Sequence, residues 1–204
     1  MNKHKKVWLG LVATLVLWAG ASWVVGMFDL FDQPNQPPAF FGLFLAGSIV
    51  GFLSVYALSK TVREALLAIP LWAIVAVHAF RFVGFFFILD TINHVLAPQF
   101  GWPAGIGDII AAAVSIPLTI AIKNGRRSPG LRRSFIAWNI FGLVDLFTAI
   151  VVGLLYSQSA VGILSQPGLD SQAVTHLPLS LIPTFYVPLL ILLHFLALRR
   201  YREV

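Results

Sequence analysis

The sequence predicts an all-α integral membrane protein, a bundle of six transmembrane helices with both termini in the cytoplasm. Hydrophobic residues make up 58% of the 204 residues and charged residues only 11%, too few to cover the surface of a soluble domain. The apolar residues form six runs of about 20, the length that a helix needs to cross a bilayer. The basic residues fall between these runs on alternate loops, as in membrane proteins.

The predicted spans are continuous apolar runs, which excludes the alternating pattern of a transmembrane β-barrel. Ala19-Gly20-Ala21 has the small residues of a signal-peptidase site, but the apolar run continues to Phe28, which favours a retained first span. We expect one polytopic domain over residues 1–204, with spans at about 7–28, 39–59, 65–89, 104–122, 134–156 and 179–198.

The distribution of charge predicts the orientation. All of the 14 Lys and Arg residues except Arg81 fall in segments 3–6, 60–63, 123–133 and 199–202, whereas loops 29–38, 90–103 and 157–178 contain Asp but no Lys or Arg. The basic segments should face the cytoplasm of a multi-pass inner-membrane protein. The net charge of +6 then reflects topology, so we expect the lipid bilayer as partner and no nucleic acid. A homo-oligomer or a partner membrane protein stays open.

Four ionisable residues inside the spans are the main candidates for handling a ligand or a proton, because charges in a membrane usually face the bundle interior. At 1.5 Å per residue, His78 and Arg81 lie ~18 and ~23 Å from the cytoplasmic face, Asp108 ~24 Å and Asp145 ~17 Å. This arithmetic pairs Arg81 with Asp108 and His78 with Asp145. Each pair has a purely structural interpretation, a salt bridge or hydrogen bond that locks two helices.

Asn139 and His194 are secondary candidates, level with each other at ~8 and ~6 Å from the cytoplasmic face. His78 and His194 differ in depth by ~12 Å and so should not share one haem iron. His94 and His176, in the outer loops, are weak candidates for a metal site, since no closely spaced ligand motif accompanies them.

The sequence lacks the motifs of the common nucleophilic and nucleotide-dependent enzymes, so we expect no catalytic residue and more readily a non-enzyme. The favoured function is a small transporter or ligand-binding membrane protein with an outward-facing polar cluster. The alternatives are a haem or metal redox protein, with haem b or a metal ion as cofactor, and a structural or assembly subunit without chemistry of its own.

Overall fold

The computed structural model describes residues 3–204, which form helices and no β-strand. The main helices are α1 (Lys3–Met27), α2 (Ala39–Leu58), α3 (Lys60–Leu67), α4 (Leu71–Ile92), α5 (Pro98–Lys123), α6 (Pro129–Leu155) and α7 (Ile182–Arg199). Each of them except α3 is long and apolar enough to cross a membrane. This confirms the predicted all-α class and the six apolar spans.

The three loops without Lys or Arg meet at one end of the bundle, which we call the acidic end. The backbone N–H of Asn35 donates to the carbonyl of Gln158 at 2.9 Å, and that of Ala97 donates to the carbonyl of Asp170 at 2.7 Å. These bonds tie the α1–α2 and α4–α5 loops to the long α6–α7 loop.

The basic segments meet at the opposite end, which we call the basic end. The Lys123 ammonium lies 5.1 Å from the centre of the Trp72 ring, and the Arg132 guanidinium lies 4.7 Å from that of Tyr201. Arg200 donates to the carbonyl of Ile69. The charge separation expected from the sequence is therefore present along the bundle axis.

The third span begins later than predicted. Pro70, at φ −54° and ψ 133°, interrupts the helix, so residues 60–67 form the separate helix α3, capped by Ser59, whose Oγ accepts from the Val62 N–H at 3.3 Å. The transmembrane helix α4 starts at Leu71, not at residue 65. Proline has no N–H to donate and suits a first helical turn. Prolines also set the starts of α5 and α6, which begin earlier than predicted, at Pro98 and Pro129.

The bundle interior has two apolar clusters with a polar layer among them. Towards the acidic end the buried core includes Phe41, Phe87, Phe100, Leu146 and Leu190. Towards the basic end it includes Tyr56, Ile74, Phe135, Trp138 and Leu196. Fully buried polar side chains accompany them: His78, Arg81, Ser115, Asn139 and His194.

Helix α1 is peripheral and packs mainly on α3 and the first turns of α7. Pro188 in α7 cannot donate to the carbonyl of Thr184, four residues earlier. The Trp18 indole Nε1–H of α1 donates to that carbonyl instead, at 3.1 Å, and its ring meets Phe185 edge-on at 4.9 Å. A neighbouring helix thus satisfies the carbonyl that the proline frees, as expected for a proline within a membrane span.

Candidate functional site

The candidate site is centred on a turn of 3₁₀ helix in the middle of α4, His78–Val83. In a 3₁₀ helix residues i and i+3 are aligned on one face, so His78 and Arg81 point in the same direction, and both are 0% exposed. A mid-helix 3₁₀ segment often marks strain or function. Here it presents two polar side chains to the interior of the bundle.

Arg81 binds two carboxylates at once. Its Nε donates to Asp108 Oδ1 at 2.7 Å, its Nη2 donates to Asp145 Oδ2, and its Nη1 lies 3.4 Å from the carbonyl of Gly142. We call Arg81, Asp108 and Asp145 the arginine cluster. The Arg81–Asp108 contact expected from the sequence is present. The expected pairing of His78 with Asp145 is wrong, because Asp145 contacts Arg81.

The error comes from the assumed starts of the third and fifth spans, at residues 65 and 134 in place of Leu71 and Pro129. With α4 starting at Leu71, His78 is seven residues inside the helix, or ~10 Å. His194 is five residues from the end of α7 at Arg199, or ~8 Å. The predicted ~12 Å depth difference between these histidines is therefore wrong, and the two rings are neighbours, with centroids 4.0 Å apart.

His78, His194 and Trp138 form a second group, which we call the imidazole cluster. Trp138, which the sequence did not single out, lies with its ring centroid 4.9 Å from those of both histidines. Its indole N–H donates to the carbonyl of Ala111 at 2.9 Å, which fixes the ring against α5. A lone tryptophan on a helix gives no sequence signal that would distinguish this position from ordinary packing.

His194 is held at both ring nitrogens. Nε2 lies 3.4 Å from Arg81 Nη1, and Nδ1 lies 3.0 Å from Asn139 Oδ1. Arginine can only donate, so Nε2 accepts and the proton is assigned to Nδ1, which donates to Asn139. The expected Asn139–His194 contact is present. The side-chain amide of Asn139 in turn donates to the carbonyl of Phe135 at 2.9 Å.

His78 differs: neither of its ring nitrogens has a hydrogen-bond partner among residues 3–204. The two imidazoles do not fit a bis-histidine haem, since axial ligands stand on opposite sides of the iron and its macrocycle, whereas these rings are in van der Waals contact. His194 is also occupied by Arg81 and Asn139. The geometry therefore gives no support to the haem alternative.

Three glycines make room for the buried polar side chains. A Cβ at Gly84 would lie 2.5 Å from Asp108 Cβ, one at Gly107 1.6 Å from Asp145 Oδ1, and one at Gly142 2.4 Å from His194 Nε2. Small residues in membrane helices usually indicate close helix packing. Here each glycine also lies against a large polar side chain. The glycines are visible in the sequence, but which side chain each one contacts is known only from the packing of the helices.

A narrow cavity of about 60 Å³ leads from the loops at the acidic end to Asp108, and we call it the outer cavity. Among the described residues that line it, Asp108 is the one with a charge. The mouth is polar and includes Gln33, Ser157, Ser159, Ser171, Gln172 and Thr175. The walls are apolar and include Phe31, Phe41, Phe87, Phe100, Ile182 and Val187.

The candidate histidines of the outer loops do not join these clusters. His94 is exposed, in a left-handed turn at φ 57°. His176 Nδ1 lies 3.0 Å from Asp29 Oδ1 and its Nε2 lies 3.8 Å from Asp32 Oδ2. Within the described part of the chain, no three His, Asp or Glu side chains converge as metal ligands would.

Comparison with known proteins identifies a family but no characterised relative. No curated protein and no solved structure matches the chain. A family model described as "Domain of unknown function (DUF8737)" matches residues 38–202, which contain α2 to α7, both clusters and nearly the whole cavity lining, and leave out α1. The chain belongs to this family.

Proposed function

We propose that the chain is a six-span inner-membrane protein with both termini in the cytoplasm. We further propose that it binds a small ligand from the outer side of the membrane and acts as a small transporter. The observation that carries the functional part is the outer cavity, which connects the polar loops of the acidic end to the buried Asp108. Ligand sites in proteins are typically concave and largely apolar, with a few polar groups placed inside.

Two observations support insertion in a membrane. Large apolar side chains are exposed on the surface of the bundle, among them Leu17, Leu58, Phe80 and Phe147. An exposed apolar surface spread over several helices is unusual for a soluble monomer. The separation of the acidic and basic ends then gives the orientation, with the basic end in the cytoplasm.

The orientation is testable with single cysteines, since the chain contains none. Asn124→Cys lies in the basic loop without removing a charge, and Gln166→Cys lies in an exposed part of the acidic end. A membrane-impermeant thiol reagent outside intact cells should label the cysteine at 166 and spare the one at 124. The opposite pattern, or equal labelling, would overturn the orientation.

The outer cavity is testable on one helix. Ala149 lines the cavity, whereas Phe147, two residues away on α6, is 54% exposed on the outer surface of the bundle. A small impermeant thiol reagent applied outside should modify Ala149→Cys and not Phe147→Cys, because a thiol surrounded by lipid does not ionise. Protection of both cysteines would overturn the proposal of an outward-open site.

The same pair separates a transporter from a binding protein. The reagent is enclosed in the lumen of proteoliposomes in which every copy of the protein has its cytoplasmic side facing the lumen. The transporter proposal requires slow labelling of Ala149→Cys under these conditions also. Labelling from the outside only would indicate a ligand-binding protein that does not transport.

A structural role for the arginine cluster is the second candidate function, and one observation favours it. Every nitrogen of the Arg81 guanidinium is engaged within the bundle, by Asp108, Asp145, Gly142 and His194. An ion pair whose donors are all engaged inside the bundle can have a purely structural role, which is to hold the helices in register. Ligand binding by Asp108→Asn and the stability of Arg81→Met separate this role from ligand binding.

A further inference from the structure

We propose that the ligand of the outer cavity is a short, unbranched primary alkylammonium ion whose ammonium group binds Asp108. This inference rests on the proposed ligand-binding function and assigns its ligand a chemical class. It is carried by the charge balance of the arginine cluster, a free carboxylate oxygen, the walls of the cavity and the charge at its mouth.

The charge balance of the cluster favours a monovalent cation. One guanidinium faces two carboxylates, Asp108 and Asp145, so the ionised cluster has one negative charge in excess. His194 does not offset it, because it accepts a hydrogen bond from Arg81 at Nε2 and is therefore neutral. His78 does not offset it either, because neither of its ring nitrogens has an acceptor among residues 3–204 that would hold an imidazolium. An ammonium at Asp108 completes an alternating row of charges: ammonium, Asp108, Arg81, Asp145.

Asp108 has an oxygen available for such a ligand. The residue is only 7% exposed, and it lines the outer cavity. Its Oδ1 accepts from Arg81, whereas its Oδ2 accepts no hydrogen bond from a side chain or backbone group in residues 3–204. Oδ2 is not one of the fully buried oxygens that lack a partner, so a ligand can reach it, and an ammonium group brings three donors.

The cavity walls favour an organic cation over an inorganic one. A metal ion of the alkali or alkaline-earth type needs several oxygen ligands in place of its water, and Asp108 is the single charged group that the described part of the chain contributes to the lining. Phe87 and Phe100, with ring centroids 5.6 Å apart, both line the cavity, and aromatic faces attract alkylammonium ions. An alkyl chain can bury its carbons against these walls, which a hydrated metal ion cannot do.

The mouth and the volume set the remaining requirements. The loops around the mouth contain Asp29, Asp32 and Asp170 and no Lys or Arg, so their field attracts cations and repels anions. A cavity of about 60 Å³ favours a short, narrow chain over branched or polycyclic amines. The acidic mouth also disfavours carboxylates of the same size as the amine.

The test compares three probes of nearly equal size with different charge: n-butylammonium, 1-butanol and butyrate. Isothermal titration at pH 7 and low salt uses the full-length protein in lipid nanodiscs, with empty nanodiscs as the blank. We expect saturable binding of n-butylammonium, binding of 1-butanol at least ten-fold weaker and no binding of butyrate. Equal binding of the amine and the alcohol would overturn the inference.

Two variants locate the binding. Asp108→Asn should weaken n-butylammonium binding at least ten-fold, whereas the matched control Asp90→Asn, which removes the same charge outside the cavity lining, should change it less than two-fold. Ala149→Phe, which fills the cavity and alters no charge, should abolish it. If Asp108→Asn fails to fold, Ala149→Phe and the comparison with 1-butanol still decide the assignment.

The failures of the two proposals are distinguishable. If 1-butanol binds as well as the amine and Ala149→Phe removes both, the site exists and the cationic class is wrong. If none of the probes binds while Ala149→Cys is labelled from outside, the alkylammonium assignment is wrong and the outward-open cavity stands. Unchanged amine binding in Asp108→Asn would likewise overturn the alkylammonium assignment.

Discussion

Arg81 and His78 lie on the same 3₁₀ segment of α4, yet their surroundings are opposite in kind. Arg81 and His78 are both 0% exposed. The guanidinium of Arg81 meets two carboxylates, a carbonyl and an imidazole, whereas the imidazole of His78 lies against rings without a hydrogen bond from residues 3–204. Three residues of sequence separate the best connected polar group of the bundle from one of the least connected.

The difference follows from the protonation chemistry of the two side chains. A guanidinium cannot lose its proton in a protein, so it must be buried with anions or not at all. An imidazole can be buried in its neutral form, and leaving its nitrogens unpaired costs only the desolvation of a polar group. We therefore expect the fold to depend strongly on Arg81 and weakly on His78.

Removal of Arg81 should have the largest effect on stability. Arg81→Met leaves the buried Asp108 and the partly buried Asp145 without their cation and should lower the free energy of unfolding by ~3–5 kcal/mol, the range for a broken buried ion pair. The triple variant Arg81→Met, Asp108→Asn, Asp145→Asn removes all three charges and should recover most of this loss. Denaturation in mixed micelles, followed by tryptophan fluorescence, measures both.

The triple variant is the control for coupling. If its loss equals the sum of the three single losses, the residues act independently, and the contrast with His78 would reflect side-chain size alone.

The glycine at position 107 should come next. Gly107→Ala places a Cβ 1.6 Å from Asp145 Oδ1, so Asp145 must move off Arg81, and we expect a loss of ~1–3 kcal/mol, as for other overpacked positions. The matched control is Gly20→Ala in α1, which meets no atom within 4 Å and should be neutral or slightly stabilising. Equal changes in the free energy of unfolding at the two positions would show that Asp145 accommodates the added methyl group without losing its contact with Arg81.

The sequence predicted the fold better than the site, for a physical reason. Span length and charge are properties of single segments, so the six helices and the separation of their ends could be derived without knowing how the helices pack. The pairing of polar groups depends on where each helix begins. Two misplaced helix starts paired His78 with Asp145: the third span begins at Leu71 and not at residue 65, and the fifth begins at Pro129 and not at residue 134.

The two histidines offer a closer comparison. His194→Phe removes the ring that accepts from Arg81 and leaves Asn139 Oδ1 without its donor, so we expect a loss of roughly 1–3 kcal/mol for the stranded polar groups. His78→Phe replaces an unpaired imidazole by an apolar ring of similar shape, which should be neutral or stabilising. Thermal unfolding of the two variants side by side measures the difference. A larger loss in His78→Phe than in His194→Phe would contradict it.

The smallest effect should come from His78→Gln, and this variant also tests the hypothesis that His78 relays protons. Glutamine keeps polar atoms at the position but cannot take up a proton at neutral pH. A relay requires a hydrogen-bonded route for the proton. His78 contacts neither carboxylate through a hydrogen bond and does not line the outer cavity, so we expect the same stability to within ~0.5 kcal/mol, as for substitutions that remove no bonded contact. We also expect n-butylammonium binding between pH 5 and 8 to keep the pH profile of the parent protein. Loss of that pH dependence with unchanged stability would instead assign the proton to His78, and the contrast with Arg81 would then be between a fixed charge and a titrating one.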